Sequence, residues 1–301
     1  MKLKTHISYQ IEELQFGEDW SVDMLQLSAG PLLHRYSTVD LGQVIVEYIQ
    51  CAASVQVRDI HNVPFLSFGI VTEGEGSPRF LGHPLERGDT IVWRPGDRFD
   101  YEYVMPENFS GFVVMVSKET AEQRGWSMSP ARFMKASADG FNALKALSDK
   151  LVQSTMLRQP HIAFAFLNAL EQAFGAQLFK DSKRSPDDDA SDVFKIVAHA
   201  RRHISGLGPE EFDNVDEVAR VIGLNRRSLY RAFRIWPGIG PARYSRVLRL
   251  AAARRDLLAR SQVESSVLQI ALDNGFRHTG RFAAEYRDFF CENPAETLRR
   301  S

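Results

Sequence analysis

Residues 223–234 read GLNRRSLYRAFR, and the reading of this stretch decides the fold. Leu224, Leu229 and Phe233 recur at the spacing of a buried helical face, while Arg226, Arg227, Arg231 and Arg234 fall around the other faces. A solvated surface helix would tolerate that pattern. A helix laid against a polyanion would require it. Arginine is the informative residue, because its planar fork meets phosphate and guanine with paired hydrogen bonds.

The stretch belongs to an internal repeat. Ala219, Gly223 and Leu224 are matched by Ala271, Gly275 and Phe276 at an offset of 52, and Leu229 and Phe233 by Phe282 and Tyr286 at an offset of 53. The second copy therefore carries one extra residue after its turn. The spacing predicts a helix over 215–222, a turn at Gly223 and a second helix over 226–235 capped by Asn225. It predicts the same unit again as helix 267–274, a turn at Gly275-Phe276 and helix 278–290. Asn214 with Glu217 and Ser266 with Gln269 have capping-box spacing. Between the copies, 241–260 reads as one helix striped by Tyr244, Val247, Leu250, Ala253 and Leu257. At about 1.5 Å per residue it spans roughly 30 Å.

Two helix–Gly turn–helix units define a pair of helix-turn-helix motifs, in which the second helix of each enters the major groove of double-stranded DNA. Arg227 and Arg231, four apart with Tyr230 beside them, are placed to meet base edges. Arg226 and Arg234 lie to the sides and suit phosphates, and Ser228 joins these candidates in the first turn. In the second copy the outward candidates are His278, Thr279 and Arg281. That copy is the weaker reader, since Gly280 costs helix stability and Ala283 and Ala284 offer little hydrogen bonding.

Charge follows the same division. From Val193 to Ser301 there are 19 Lys+Arg, 18 of them Arg, against 12 Asp+Glu, a net of +7; residues 1–192 carry a net of −8. An anion-binding module joined to something else is expected. The polar, aperiodic DSKRSPDDDASD (181–192) reads as the linker between an N-terminal domain, 1–180, and a C-terminal domain, 193–301.

Residues 215–300 resemble the DNA-binding domain of AraC-type (arabinose-regulator-like) transcription factors. The resemblance rests on Leu224, Leu229, Arg231 and Phe233; Gly240-Pro241 and Tyr244; Arg249-Leu250, Arg254 and Leu257-Leu258; Ile270-Ala271, Gly275-Phe276 and Phe282; and Phe290 and Pro294. It departs at Cys291, where such proteins usually carry Gly, and at Trp236-Pro237-Gly238. The resemblance implies two recognition helices in successive major grooves of promoter DNA, a homodimer, RNA polymerase as a partner, and an activator controlled by a small-molecule effector.

The N-terminal half reads as β-rich over about 30–118 and helical over about 138–180. VIVEYIQC (44–51), FLSFGIV (65–71), TIVWR (90–94), FDYEYV (99–104) and GFVVMV (111–116) are short β-branched and aromatic runs punctuated by Gly, Pro and Asp. Phe141, Leu144, Leu147 and Leu151 form one helical stripe, and Ile162, Phe166, Leu170, Phe174 and Leu178 a second, which packs on its own domain or on a partner subunit. Gly88-Asp89 and Pro95-Gly96 resemble the turns of cupin-like barrels. The expected fold class is α+β: an N-terminal cupin-like β-barrel or sandwich with helices, and a C-terminal all-α domain with two helix-turn-helix motifs. Trp93, Arg94, Tyr101 and Tyr103 are the candidate effector-binding residues, since alternating strand positions can line a barrel interior. His34, Arg35 and Tyr36 lie on the approach to it.

No closely spaced His pair falls in the barrel, with His61 and His83 standing alone, so no metal, cofactor or catalytic residue is expected. A cupin-like enzyme fused to a DNA-binding module and a regulator controlled by a protein partner are the alternatives. Cys51 and Cys291 are the only cysteines, which excludes a disulfide framework and fits a reducing cytoplasm. MKLKTHISYQIEELQF lacks the apolar segment of a signal peptide, and no run approaches the ~18 to 20 apolar residues of a membrane span.

Overall fold

Alternation of apolar and polar side chains in the N-terminal half builds two antiparallel sheets. The computed structural model describes residues 3–14, 21–62, 64–96, 98–153, 161–182, 190–206, 215–259 and 266–300. The middle of the expected linker, 183–189, and the expected cap Asn214 lie outside the described residues. In chain order the strands are β1 (Leu3–Ser8), β2 (Ser21–Gln26), β3 (His34–Asp40), β4 (Val44–Cys51), β5 (Val55–Asn62), β6 (Phe65–Glu75), β7 (Arg79–Phe80), β8 (His83–Pro84), β9 (Asp89–Trp93), β10 (Arg98–Met105), β11 (Glu107–Ser117) and β12 (Phe133–Lys135). The helices are α1 (Lys118–Gln123), α2 (Ala138–Gln153), α3 (His161–Phe174), α4 (Asp192–Gly206), α5 (Val215–Val221), α6 (Arg226–Ile235), α7 (Pro241–Ala259), α8 (Val267–Asp273), α9 (Thr279–Phe290) and α10 (Pro294–Leu298).

One sheet has the order β1-β3-β4-β11-β6-β9-β12, the other β2-β5-β10-β7-β8. The five sequence-predicted strands are all present, as β4, β6, β9, β10 and β11. The β-rich region begins earlier than residue 30, since β1 and β2 precede it. These two strands and β5 are rich in polar residues on both faces, which hid their period of two.

The molecule is layered. On the seven-stranded sheet, Val44, Val46, Leu66, Phe68, Val114 and Val116 pack against α2 and α3. On its other face Ile45, Glu47, Gly69, Val71, Val113 and Met115 line a cavity. The five-stranded sheet closes that cavity with Val22, Met24, Val57, Asp59 and Tyr103. Its far face carries Leu27 and Val104, which belong to the same buried core as the C-terminal helices. That sheet is therefore covered on both sides, by the cavity and by the C-terminal half.

The apolar stripe of α3 resolves inward. Phe166, Leu170, Phe174 and Leu178 are buried in the core of their own domain, stacked on sheet residues such as Phe68, 5.6 Å from Phe174 between ring centres. The stripe is consumed within its own domain. Residues His161–Phe179 are apolar and long enough to cross a membrane, the one such stretch among the described residues; its apolar face is spent in this core.

Candidate functional site

The two predicted turns have one geometry. Leu224 N–H donates to Ala219 O at 2.8 Å, and Phe276 N–H donates to Ala271 O at 2.8 Å. Gly223 and Gly275 sit at φ +73° and +77°, the left-handed region that a Cβ disfavours. The repeat seen in sequence is thus a repeat of backbone hydrogen bonds. The extra residue of the second copy lies between Gly275 and α9, which starts at Thr279.

Helix α6 spans the predicted 226–235. Asn225 caps it, its side chain accepting from Ser228 N–H at 2.9 Å. Leu229 and Phe233 are fully buried, each contributing about 1.5–3 kcal/mol of burial free energy. Phe233 meets Tyr244 of α7 edge-on at 5.4 Å. Anchored this way, the helix presents Arg226, Arg227, Arg231 and Arg234 to solvent. Arg226 is held by Asp216 of α5 at 3.0 Å. Arg227, Arg231 and Arg234 are engaged in no hydrogen bond or ion pair among the described residues. Two arginines in the first turn oppose the helix dipole, a cost of a few tenths of a kcal/mol each that an approaching phosphate or base acceptor offsets. Tyr230 is half-buried against Gly240, 3.5 Å from the position a Cβ would take there, with Arg226 5.6 Å above its ring. It props the helix against the turn that precedes α7.

In the second motif Phe282 and Tyr286 are buried, and His278 caps the start of α9 with no side-chain capping bond. His278 and Arg281 are exposed and Thr279 is half-exposed. Arg281 is unengaged among the described residues. The interior of this half is fastened by Arg254, whose Nη1 donates to Tyr286 Oη at 3.0 Å and to Glu292 at 3.1 Å. The Tyr286 hydroxyl also pairs with Thr297 at 2.9 Å, and burial lifts its phenol to about 12.

The cavity in the N-terminal half has a volume of about 550 Å³. Of the four sequence candidates, Trp93 and Tyr103 line it. Arg94 is spent elsewhere, its Nε and Nη2 donating to Pro130 O at 3.0 and 2.8 Å. Tyr101 is buried under the sheet, accepting from Arg132 Nη2 and packed 5.4 Å from Phe80. Alternation separates Arg94 from Trp93, whereas Tyr101 shares the face of Tyr103 and is taken up by Arg132 and Phe80.

Sequence reasoning placed His34 and Tyr36 only on the approach to the barrel and did not single out Glu47, yet all three line the cavity. His34, buried to 4% exposure, lines the cavity with Nδ1 unpartnered, and burial holds its imidazole down to about 4. Burial and the hydrogen bond to Glu47 push Tyr36 up. Burial, together with Asp59 and Glu47, does the same for Tyr103. Alternation along HRYSTVD (34–40) could have placed His34, Tyr36 and Thr38 on one interior face, with Arg35 outside. His83 packs on Phe133 at 5.3 Å between ring centres.

The contacts joining the halves were also invisible in sequence. Arg201 of α4 bonds both carboxylate oxygens of Glu102 on β10, with Nη1 at 2.8 Å from Oε2. Tyr244 Oη donates to Gln56 Oε1 at 3.0 Å, and Gln56 Nε2 donates to Glu102 at 2.9 Å. Arg254 Nε donates to Glu12 at 2.7 Å. The partners that span the two halves lie 99 to 242 positions apart.

Two exposed arginine-bearing helices, each seated behind a Gly turn, define a helix-turn-helix DNA-binding protein. Comparison with known proteins agrees. A helix-turn-helix domain family matches residues 218–300. The chain is 29% identical over 290 residues to the XylDLEGF operon transcriptional activator 1 of Pseudomonas putida, covering 90% of this chain and 82% of that one. It is 40% identical over 232 residues to the XylDLEGF operon transcriptional activator 3 of the same organism, covering 73% and 67%. Among solved structures, an AraC-type DNA-binding-domain regulator from Chromobacterium violaceum is 30% identical over 35% of this chain and 91% of its own, with a TM-score of 0.33. The chain belongs to the AraC-type family of transcriptional regulators.

Proposed function

We propose that the chain is an effector-responsive transcriptional activator, with a cupin-like N-terminal domain over 1–180 that binds a small molecule and a C-terminal domain over 193–301 that reads two DNA boxes. Arg227 and Arg231 read bases in the first box; Arg226, Ser228 and Arg234 hold its backbone, with Tyr230 bracing the helix. His278, Thr279 and Arg281 engage the second. The protein works in the cytoplasm as a homodimer, which raises effective concentration on adjacent sites, and it recruits RNA polymerase.

The observation that carries effector control is the shared sheet. On β5 and β10, Val57, Asp59, Tyr103 and Met105 face the cavity. The residues directly before Val57 and Tyr103, Gln56 and Glu102, hold Tyr244 and Arg201 of the DNA-binding half. A ligand that displaces Tyr103 acts on Glu102 through a single peptide unit. It shifts the regulator only by as much as it prefers one arrangement over the other. The predominantly apolar lining, with His34, Tyr36, Glu47, Asp59 and Tyr103 among its polar groups, fits a small and largely apolar effector.

The test is a thermal-shift screen of small metabolites followed by fluorescence anisotropy on labelled promoter DNA. A compound that stabilises the native chain should change its DNA affinity, and Val113→Trp, which fills the cavity, should abolish both effects while binding DNA. Stabilising compounds that all leave DNA affinity unchanged would sink the effector reading.

A further inference from the structure

The two helix-turn-helix motifs pack on each other chiefly through α7: α6 contacts α7 on one side, and α8 and α10 contact it on the other. A 19-residue helix is a strut of about 28 Å. A bend of about 5° would swing one motif against the other by roughly 2.5 Å, most of the ~3.4 Å rise of one base pair. Such a joint alone defines the distance between two readers poorly.

The N-terminal half closes the joint, because it holds each motif separately. At the first motif, Arg201 bonds Glu102 and Tyr244 bonds Gln56. Just past α6, the Arg79 side chain of β7 lies against Gly238, while Trp236 is buried against Phe194 of α4 within the C-terminal half. This gives the unusual Trp236-Pro237-Gly238 stretch a place in the interface. At the second motif, Gly30 N–H donates to Phe289 O at the end of α9 at 3.1 Å, and Gln26 Nε2 reaches the same carbonyl at 3.4 Å. Arg254 donates to both oxygens of Glu12, at 2.7 and 3.2 Å. Gln10 bonds Glu292 at 3.3 Å and accepts from Arg300.

We propose that the N-terminal sheet and the turn at Ile11–Glu13 act as a clamp on both motifs, so that residues remote from DNA, foremost Glu102 and Glu12, set the spacing between the two DNA boxes the protein accepts. This rests on both α6 and α9 reading DNA. Held through Arg201 on α4, which packs on α6, and through Arg254 on α7, which bonds Tyr286 of α9, the recognition helices keep one separation. With either hold released, they pivot about α7. The clamp is a specificity device, because adding one base pair moves a box by ~3.4 Å and rotates it by about 35°.

The experiment uses the full chain and a duplex whose boxes are selected from a random pool by the native protein. Duplexes are then made with the spacer changed by one and two base pairs. The native chain should lose at least about tenfold in affinity per added pair. Glu102→Ala and Glu12→Ala together should bind the best spacer within about threefold of native and reduce the penalty for one extra pair below about threefold. The exchanged pair Glu102→Arg with Arg201→Glu should restore much of the penalty lost in Glu102→Ala, separating a positional effect from misfolding. An unchanged spacer penalty in the double variant, or equal losses on every spacer, overturns the clamp. Selection of a single box overturns the two-reader premise and the clamp with it.

Discussion

The indole of Trp93 occupies the space that a side chain at Gly69 would need: a methyl group on Gly69 would come within 2.5 Å of Trp93 Cη2. Both residues line the cavity. Absence of a side chain on β6 is what lets an aromatic ring from β9 lie along the cavity wall. Gly69→Ala should force Trp93 inward, cost about 1–3 kcal/mol of stability by overpacking, and change the tryptophan emission. DNA affinity without effector should stay within a few-fold of native. A melting curve identical to native would show that the wall yields without cost.

Arg227→Ala and Arg231→Ala should each weaken binding to a selected duplex by about 1–3 kcal/mol and relax base preference in one box. Arg234→Ala should weaken all sequences alike and lower the salt slope of binding. All three side chains are exposed, so melting temperatures should not move. Unchanged base preference in both Arg227→Ala and Arg231→Ala would remove them as readers.

His34 makes the N-terminal half acid-sensitive. Its imidazole takes a proton near 6.5 in the unfolded chain but only near 4 in the fold, because burial disfavours the charged ring. Between those values the unfolded state binds more protons, so folding stability falls as pH falls. The His34 contribution is intact above pH 6.5, reduced by about 2 kcal/mol at pH 5, and fully lost below 4. Urea unfolding at pH 7.5 and 5 should show this loss in the native chain and its absence in His34→Gln. Equal pH slopes in the two proteins would contradict it.

Cys291 ends α9 at φ +57°, a left-handed conformation that costs an L-residue about 1–2 kcal/mol. Glycine would relieve that strain and return part of the gain through the greater entropy of its unfolded chain. Cys291→Gly should therefore stabilise the protein by about 1 kcal/mol, seen as a raised denaturant midpoint with unchanged slope, and leave DNA affinity unaltered. A lowered midpoint would mean that the thiol makes a compensating contact.

The C-terminal half was legible in sequence because its signals are local. Turn glycines, the Asn225 cap and three- or four-residue apolar spacing determine helices within a few neighbouring positions, and α6 matched its expected limits. The N-terminal half was legible only where one sheet face is uniformly apolar, as in β4 and β11. Strand β5, VQVRDIHN, alternates cavity-facing Val57 and Asp59 with Gln56, turned toward the C-terminal half, so neither face reads as a core. Arg94 was misplaced as a cavity candidate beside Trp93, although alternation turns adjacent strand residues to opposite faces. Glu102 with Arg201, and Glu12 with Arg254, are long-range pairs with no local pattern to announce them.

The five-stranded sheet has no face of its own for water, since one side encloses the cavity and the other is finished by Val197, Trp236 and Leu250 of the C-terminal half. That has a consequence during synthesis. The strands of this sheet emerge before the helices that cover it, and about 120 residues follow residue 182. At about 5–20 residues per second, Leu27 and Val104 wait roughly 5 to 25 s for their cover. The nascent N-terminal half is an unfinished sandwich for that interval, adhesive along one side. Truncated chains ending near the linker should accumulate in chaperone complexes or inclusion bodies, and the last helices made are those that render the first strands soluble.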